Sequence, residues 1–171
     1  MTDSADLWAS NDNTSTLTAA QARFQEGYEL QSQGLWAEAM ACYRESIRIH
    51  PTAEAHTFLG WVYSFLKLYD EAIAECRLAI LIDPDYGNPY NDIGAYLMEL
   101  GRDAEAILWF HQALRAARYD ARCFSLFNLG RIHERRGDWL QAISYYRKAQ
   151  GENPTYEMAR LARINLQARL N

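Results

Sequence analysis

Apolar and small residues recur along this chain at helical spacing, and the recurrence itself repeats. A glycine is followed twelve residues later by an alanine, four further on by a bulky residue, and three beyond that by a small one. The copies are Gly27, Ala39, Tyr43, Ser46; Gly60, Ala72, Cys76, Ala79; Gly94, Ala106, Phe110, Ala113; and Gly130, Ala142, Tyr146, Ala149. Three of them place a proline five residues further on, at Pro51, Pro84 and Pro154, where the third has Arg118. No stretch of useful length alternates with the period of a strand. The pattern predicts two helices per copy, and four copies in succession predict an array whose units bury their apolar faces on one another.

Each column has a physical reason. Two antiparallel helices approach closely only where small side chains meet, so the glycine on the first helix and the alanine on the second mark the crossing. Gly34, Gly101 and Gly137 fall between the two helices of their copies, where a left-handed residue ends a helix at little steric cost. Lys67 stands at this place in the second copy, and strain is expected there. The prolines cannot continue a helix and restrict the residue before them, so they close each unit and set the turn into the next.

This spacing resembles the tetratricopeptide pattern of a 34-residue helix-turn-helix, with Leu-Gly on the first helix and Ala-x-x-x-Phe, then Pro, on the second. The resemblance covers residues 20 to 154, through Leu59-Gly60, Ile93-Gly94, Leu129-Gly130 and the aromatic Tyr63. It departs at the early tryptophan, replaced by Arg23, His56, Tyr90 and Leu126, and at Leu30, Leu97 and His133, which stand where Tyr63 stands in the second copy. The implied fold is all-α, a right-handed superhelical solenoid of four units at about 20–52, 53–86, 87–120 and 121–154. Residues 155–171 are expected to form a capping helix, with Ala159, Ala162, Leu166 and Leu170 on one side and Arg160, Arg163, Asn165, Gln167 and Arg169 on the other. Residues 1–19, poor in apolar side chains, are expected to be a disordered acidic tail, in which Leu7 and Trp8 are the one large apolar pair and a candidate occupant of the array's own groove.

Successive glycines lie 33, 34 and 36 residues apart, so two extra residues enter between the third and fourth units, where proline is missing. The segment Leu114 to Arg122 carries Arg115, Arg118 and Arg122 against Asp120. Two readings stand: a second helix lengthened by part of a turn, or a basic contact for an acidic partner with a change of curvature.

At 171 residues and 49% apolar, the chain is long enough for a sizeable core, and length alone points to one domain. A net charge of −5 argues against a general nucleic-acid binder, which needs a basic footprint. No apolar run reaches the length of a membrane span, and the polar, acidic first residues are unlike a signal peptide, so a cytoplasmic protein is expected. Cys42, Cys76 and Cys123 form no CxxC pair, and Cys76 reads as a small buried hydrophobe. His50, His56, His111 and His133 show no ligand spacing, so neither metal nor other cofactor is expected. Acidic residues such as Asp70, Glu71, Asp103 and Glu105 complement helix dipoles early in second helices. No phosphate loop, dinucleotide fingerprint or nucleophile elbow occurs, and an enzyme is not indicated.

What the resemblance implies is binding, on the face that the first helices line. In the second unit His56, Leu59, Gly60 and Tyr63 form the core stripe, and Glu54, Thr57, Trp61, Ser64 and Phe65 the remaining face. The same phase gives Gln21, Phe24, Tyr28 and Gln31; then Asn88, Asn91, Ala95, Met98 and Glu99; then Phe124, Phe127, Asn128, Arg131 and Arg135. The candidate peptide groove is therefore Phe24, Tyr28, Thr57, Trp61, Phe65, Asn88, Asn91, Phe124, Phe127, Asn128 and Arg131. Asparagine amides read a peptide backbone, aromatics give apolar contact at little rotamer cost, and arginine holds a carboxylate in two-point geometry. Phe24, Phe65, Phe124 and Phe127 are equally readable as packing between neighbouring helices.

Relatives that clamp the C-terminal carboxylate of chaperones do so with Lys and Asn. The corresponding places here hold Phe24, Tyr28 and Phe58, and a register starting at the third unit recovers Asn128 but meets Asn91 and Ala95 first. The leading expectation is an adaptor or assembly factor that binds a peptide segment of another protein. The alternatives are a secretion-type chaperone holding a partner and a self-assembling scaffold, the latter motivated by Trp109 and Tyr145. A homo-oligomer is compatible with the pattern but not implied by it.

Overall fold

The computed structural model describes the backbone of residues 4–170 and the side chains of residues 15–170. Among these residues the chain is all helix: α1 (Ser4–Ser32), α2 (Trp36–Ile49), α3 (Ala53–Phe65), α4 (Tyr69–Ile82), α5 (Asn88–Glu99), α6 (Asp103–Ala113), α7 (Arg122–Arg135), α8 (Trp139–Glu152) and α9 (Glu157–Ala168). They fall into two compact units, Met1–Asp83 and Pro84–Asn171, where length alone pointed to one domain.

In the first unit α1 packs on α2, α2 on α3 and α3 on α4; in the second α5 packs on α6, α6 on α7, α7 on α8 and α8 on α9. The backbone is already helical at Ser4, within the segment whose composition points to a disordered tail. Extending a helix that packing has already nucleated adds one hydrogen bond per residue, so a polar sequence can continue it. The side chains of Leu7 and Trp8 lie outside the described residues.

All four first helices end alike. The amide three places beyond the helix bonds back five residues, Leu35 to Leu30, Leu68 to Tyr63, Arg102 to Leu97 and Asp138 to His133, at 3.0, 3.0, 2.8 and 2.9 Å. Between them sits one left-handed residue, with φ of 77° at Gly34, 60° at Lys67, 73° at Gly101 and 79° at Gly137. This double-bonded stop requires positive φ, which lysine adopts at a cost and glycine does not. Lys67→Gly is accordingly expected to raise stability by about 0.5 to 1 kcal/mol, less than the strain itself because glycine also loosens the unfolded chain. Urea midpoints of the two proteins measure it, and an unchanged midpoint would mean that Lys67 is not strained.

The helix pairs close on the glycine column in a way that the sequence only half indicates. In three copies it is the ring of the bulky residue, not the alanine, that lies on the glycine. A Cβ at Gly27, Gly94 or Gly130 would stand 2.9, 2.7 or 2.4 Å from the rings of Tyr43, Phe110 and Tyr146. In the copy where Cys76 replaces the ring, the atom against Gly60 is the Ala72 carbonyl oxygen, at 2.9 Å. Tyr43, Phe110 and Tyr146 are buried completely or nearly so. The small column is also explained: the Ser46 hydroxyl donates to the Ala20 carbonyl at 2.8 Å, tying α2 to α1.

The two extra residues do not lengthen a helix. Helix α6 stops at Ala113, and the connection folds back as a strap along the turn that precedes α5. The Arg118 amide donates to the Asp85 carbonyl at 2.9 Å and the Gly87 amide to the Arg118 carbonyl at 3.0 Å. The Arg118 guanidinium lies 4.3 Å from the centre of the Tyr86 ring, and the Arg122 guanidinium donates to the Leu114 carbonyl. Arg118 and Arg122 thus have partners within the chain, although Arg115 and Arg118 stay exposed, and Tyr119 is buried.

Helix α9 lays Ala159 and Leu166 into the cluster formed by Leu126, Phe127, Ile143 and Tyr146. Its outer side is less polar than its sequence indicates, since Met158, Leu161 and Ile164 are exposed beside the arginines. No helix among the described residues is long and apolar enough to cross a membrane.

Candidate functional site

The first unit carries a continuous run of aromatic rings. Phe24 and Tyr28, one turn apart on α1, meet Phe58 of α3 edge-on, with centroids 5.1 and 5.8 Å away. Phe58, Trp61 and Phe65 follow one face of α3, with Trp61 6.1 Å from Phe58 and 5.5 Å from Phe65. Phe65 ends the run stacked on Trp36, the first residue of α2, at 4.2 Å and 17°. Spacings of three and four put these side chains on one strip, and edge-to-face geometry suits ring quadrupoles.

The run is anchored at one end and open at the other. Phe24 and Phe58 pack against the buried Tyr43, whereas Tyr28, Trp61 and Phe65 stay 48%, 44% and 50% exposed. A hollow of about 230 Å³ adjoins Phe24, lined by Leu17, Ala20, Gln21, Ser46, Thr52 and Glu54. Phe58, the hub of the run, and Trp36 are absent from the sequence-derived set. Phe58 stands one residue outside the groove phase, and Trp36 belongs to a second helix, so the stripe of a single helix shows neither.

Thr57 does not belong to this surface. It is buried, and its hydroxyl donates to the Ala53 carbonyl at 2.7 Å, one turn back on its own helix. Gln31 is likewise internal, accepting a 3.1 Å hydrogen bond from the Tyr43 hydroxyl. Both sit at the edge of the core stripe, where a neighbouring helix covers positions that one helix alone presents as outer.

The second unit presents amides rather than rings. Asn88, Asn91, Asp92 and Ala95 form a half-buried face of α5. A hydrogen-bond chain crosses it: the Tyr119 hydroxyl to Ser125 Oγ at 2.9 Å, Ser125 Oγ to Asn91 Oδ1 at 2.9 Å, and Asn91 Nδ2 to Asp92 Oδ1 at 3.1 Å. Because Ser125 donates to Asn91, the proton between Tyr119 and Ser125 belongs to Tyr119, and every donor in the chain is directed toward Asp92. Asn91 is therefore a relay as well as a half-buried amide.

Burial pushes the Asp92 carboxyl up to about 7, against the Asn91 hydrogen bond, which favours the ionised form. Burial also raises the Tyr119 phenol, with the Ser125 bond opposing and the Asp92 charge adding. The folded protein holds the Asp92 proton more tightly than the unfolded chain does. Stability contributed here is thus full below the ordinary carboxyl value of 3.8 and lost as pH rises toward 7. Asp92→Asn is expected to flatten that slope, removing a fall on the order of 2 kcal/mol after screening at the open edge of the carboxyl. Unfolding free energies across this pH range measure it, and identical slopes in both proteins would show that Asp92 titrates normally.

On α7, Phe124 is 44% exposed with its edge against Tyr156 at 5.3 Å. Phe127 is a correction: it is buried, 5.5 Å from Tyr146 and 5.3 Å from Tyr156, and holds α7 to α8 and to the start of α9. Met98 is buried too. Asn128 is half-buried and accepts from the exposed Arg131 at 3.3 Å, while Arg135 is paired with Asp103 at 2.7 Å. Trp109 and Tyr145, the basis of the scaffold alternative, have partners within the chain: Trp109 lies 6.1 Å from Tyr90, and Tyr145 stacks on His133 at 5.3 Å. No cluster of three or more His, Cys, Asp or Glu suited to a metal occurs among the described residues.

Profiles described as tetratricopeptide repeat match residues 53–86 and 85–150, together more than half of the chain. The chain belongs to the tetratricopeptide repeat family. Among solved structures, this tetratricopeptide chain is similar to PilF of Pseudomonas aeruginosa, with a TM-score of 0.83 at 25% identity over 91% of this chain and 70% of that one. Among curated proteins it is 35% identical over 94 residues to protein O-mannosyl-transferase Tmtc1 of Drosophila melanogaster, 51% of this chain and 11% of that protein. It is 28% identical over 104 residues to small glutamine-rich tetratricopeptide repeat-containing protein 2 of Saccharomyces cerevisiae, 60% of this chain and 30% of that protein. The chain thus spans a minor part of these curated relatives, and a transferase activity in the name of one belongs to that protein. The shared part is the repeat scaffold, an all-α tetratricopeptide solenoid whose role is protein–protein interaction.

Proposed function

We propose that the chain is an adaptor holding an extended segment of another protein, with the open rings of Tyr28, Trp61 and Phe65 as its apolar anchor. The observation that carries this reading is the exposure of three large rings in a strip whose other members are fixed by the core. Monomeric surfaces scatter single apolar residues, whereas a contiguous aromatic strip marks a contact site. Rigid rings add little entropy cost to binding, because their neighbours already hold them. The places where relatives carry a carboxylate clamp hold Phe24, Tyr28 and Phe58 here, so this surface favours an internal apolar segment over a charged chain end.

Selection of displayed random twelve-residue peptides against the immobilised protein tests this, with the Trp61→Ala protein as counter-target. The expected result is a family of peptides sharing one or two large apolar side chains and lost on the counter-target. Peptides that bind both proteins equally would place the site elsewhere. The arginines of α7 and the exposed ring of Phe124 are the next surface to test.

A further inference from the structure

We propose that Asp92 is a recognition point for a basic side chain, lysine or arginine, of a peptide segment held on the second unit. The inference extends the adaptor reading to the surface of the second unit. It starts from the hydrogen-bond chain of Tyr119, Ser125 and Asn91, which delivers one donor to Asp92 Oδ1 and leaves the other carboxyl oxygen with no protein partner among the described residues. Asp92 is partly exposed, so that oxygen has an open edge. A carboxylate drawn out of water ordinarily has a cation beside it. Here no arginine, lysine or histidine among the described residues pairs with it.

The groups around Asp92 supply no such charge. Along α5 its neighbour is the neutral Asn91 amide. From the connection between α6 and α7 the titratable group facing it is the Tyr119 phenol, which stays protonated at neutral pH. From α7 comes the neutral Ser125 hydroxyl, acting through Asn91. Helix α6, on the Gly94 side of α5, presents the Phe110 ring.

A desolvated carboxyl with fixed donors on one side and an open edge on the other is pre-organised for an incoming ammonium or guanidinium. That cation also restores the charged form that burial disfavours, as the direction of the Asp92 shift requires. Binding and proton release are therefore coupled, and a basic ligand binds more tightly as pH rises through neutrality. Asn88, one turn back on α5, offers a half-buried amide to the same segment, while a carboxylate ligand is repelled.

The test uses the full chain and three blocked pentapeptides, acetyl-Ala-Ala-X-Ala-Ala-amide with X as Arg, Lys or Glu, followed by the carboxyl carbon resonance of Asp92. The Arg and Lys peptides are expected to lower the midpoint of the Asp92 titration and to bind roughly tenfold more tightly at pH 8 than at pH 5.5. The Glu peptide is expected to do neither. In Asp92→Asn, which keeps an acceptor for Asn91, the pH dependence should vanish while the protein stays folded, with a melting temperature at pH 8 no lower than that of the wild type. The difference between wild type and this variant is the quantity read. An Asp92 resonance that responds equally to all three peptides, or to none, overturns the proposal. The selection on the aromatic strip reads a different unit, so it succeeds or fails independently.

Discussion

Gly87→Ala is expected to destabilise the protein by about 3 kcal/mol, more than any other single added methyl group, and to lower the melting temperature by about 6 to 12 °C. The new Cβ would lie 2.3 Å from the Cβ and 2.4 Å from the Cγ of Tyr119. Those atoms sit next to the backbone and cannot swing aside. The strap holds that backbone through the bonds between Arg118 and residues 85 and 87, and the Tyr119 hydroxyl is fixed on Ser125. Relief therefore requires opening the strap. Gly130→Ala comes next, at about 2 kcal/mol, because its Cβ meets the Tyr146 ring at 2.4 Å and that ring is tethered by its hydroxyl to Glu134 at 2.7 Å. Gly151→Ala is the control: nothing lies within 4 Å of its Cβ, and alanine within α8 should gain about 0.5 to 1 kcal/mol. Thermal unfolding of the three variants decides the order. A Gly87→Ala protein as stable as wild type would mean that the strap is not fixed against α5.

What was legible in the sequence follows from what a local pattern can encode. The turn glycines and the anomaly at Lys67 are readable because a left-handed residue is a property of one position and its immediate neighbours. The crossing glycines are readable because the repeat superposes four copies and shows a column. Gly87 belongs to no column; its partner lies 32 residues further on, in a connection that only the third copy has. The strap was visible as two extra residues and a missing proline, but its pairing with residues 85–87 is a long-range contact that composition cannot supply.

The candidate site divides in the same way. Helical periodicity finds the outward face, and Tyr28, Trp61, Phe65, Phe124 and Arg131 are indeed exposed. Periodicity does not say how far a neighbouring helix overlaps the edge of that face. Phe127 lies under Tyr146 and Tyr156, and Thr57 turns back onto its own backbone, both because of packing beyond the helix they sit on. Asp92 carries a sequence signal of its own. It stands four residues after Asn88 on an otherwise half-buried face, and a charged residue there calls for a partner.

Trp61→Ala is expected to weaken binding of the selected peptides by about 2 kcal/mol, near thirtyfold, while leaving the fold intact. The two halves of this statement rest on different contacts. Trp61 is nearly half exposed and touches the run only through edge contacts with Phe58 and Phe65, so its removal opens no buried cavity. Phe58 keeps its contacts with Phe24 and Tyr43, and Phe65 keeps its stack on Trp36. A bound segment would instead cover the open part of the indole. Tyr28→Ala should cost less, since Tyr28 meets the run at Phe58 alone. Arg147→Ala, exposed on α8, should cost nothing measurable. Peptide affinity by fluorescence anisotropy, read beside the melting temperature, separates the cases. Loss of both in Trp61→Ala would make the indole part of the core, whereas unchanged affinity in a folded variant would move the anchor away from α3.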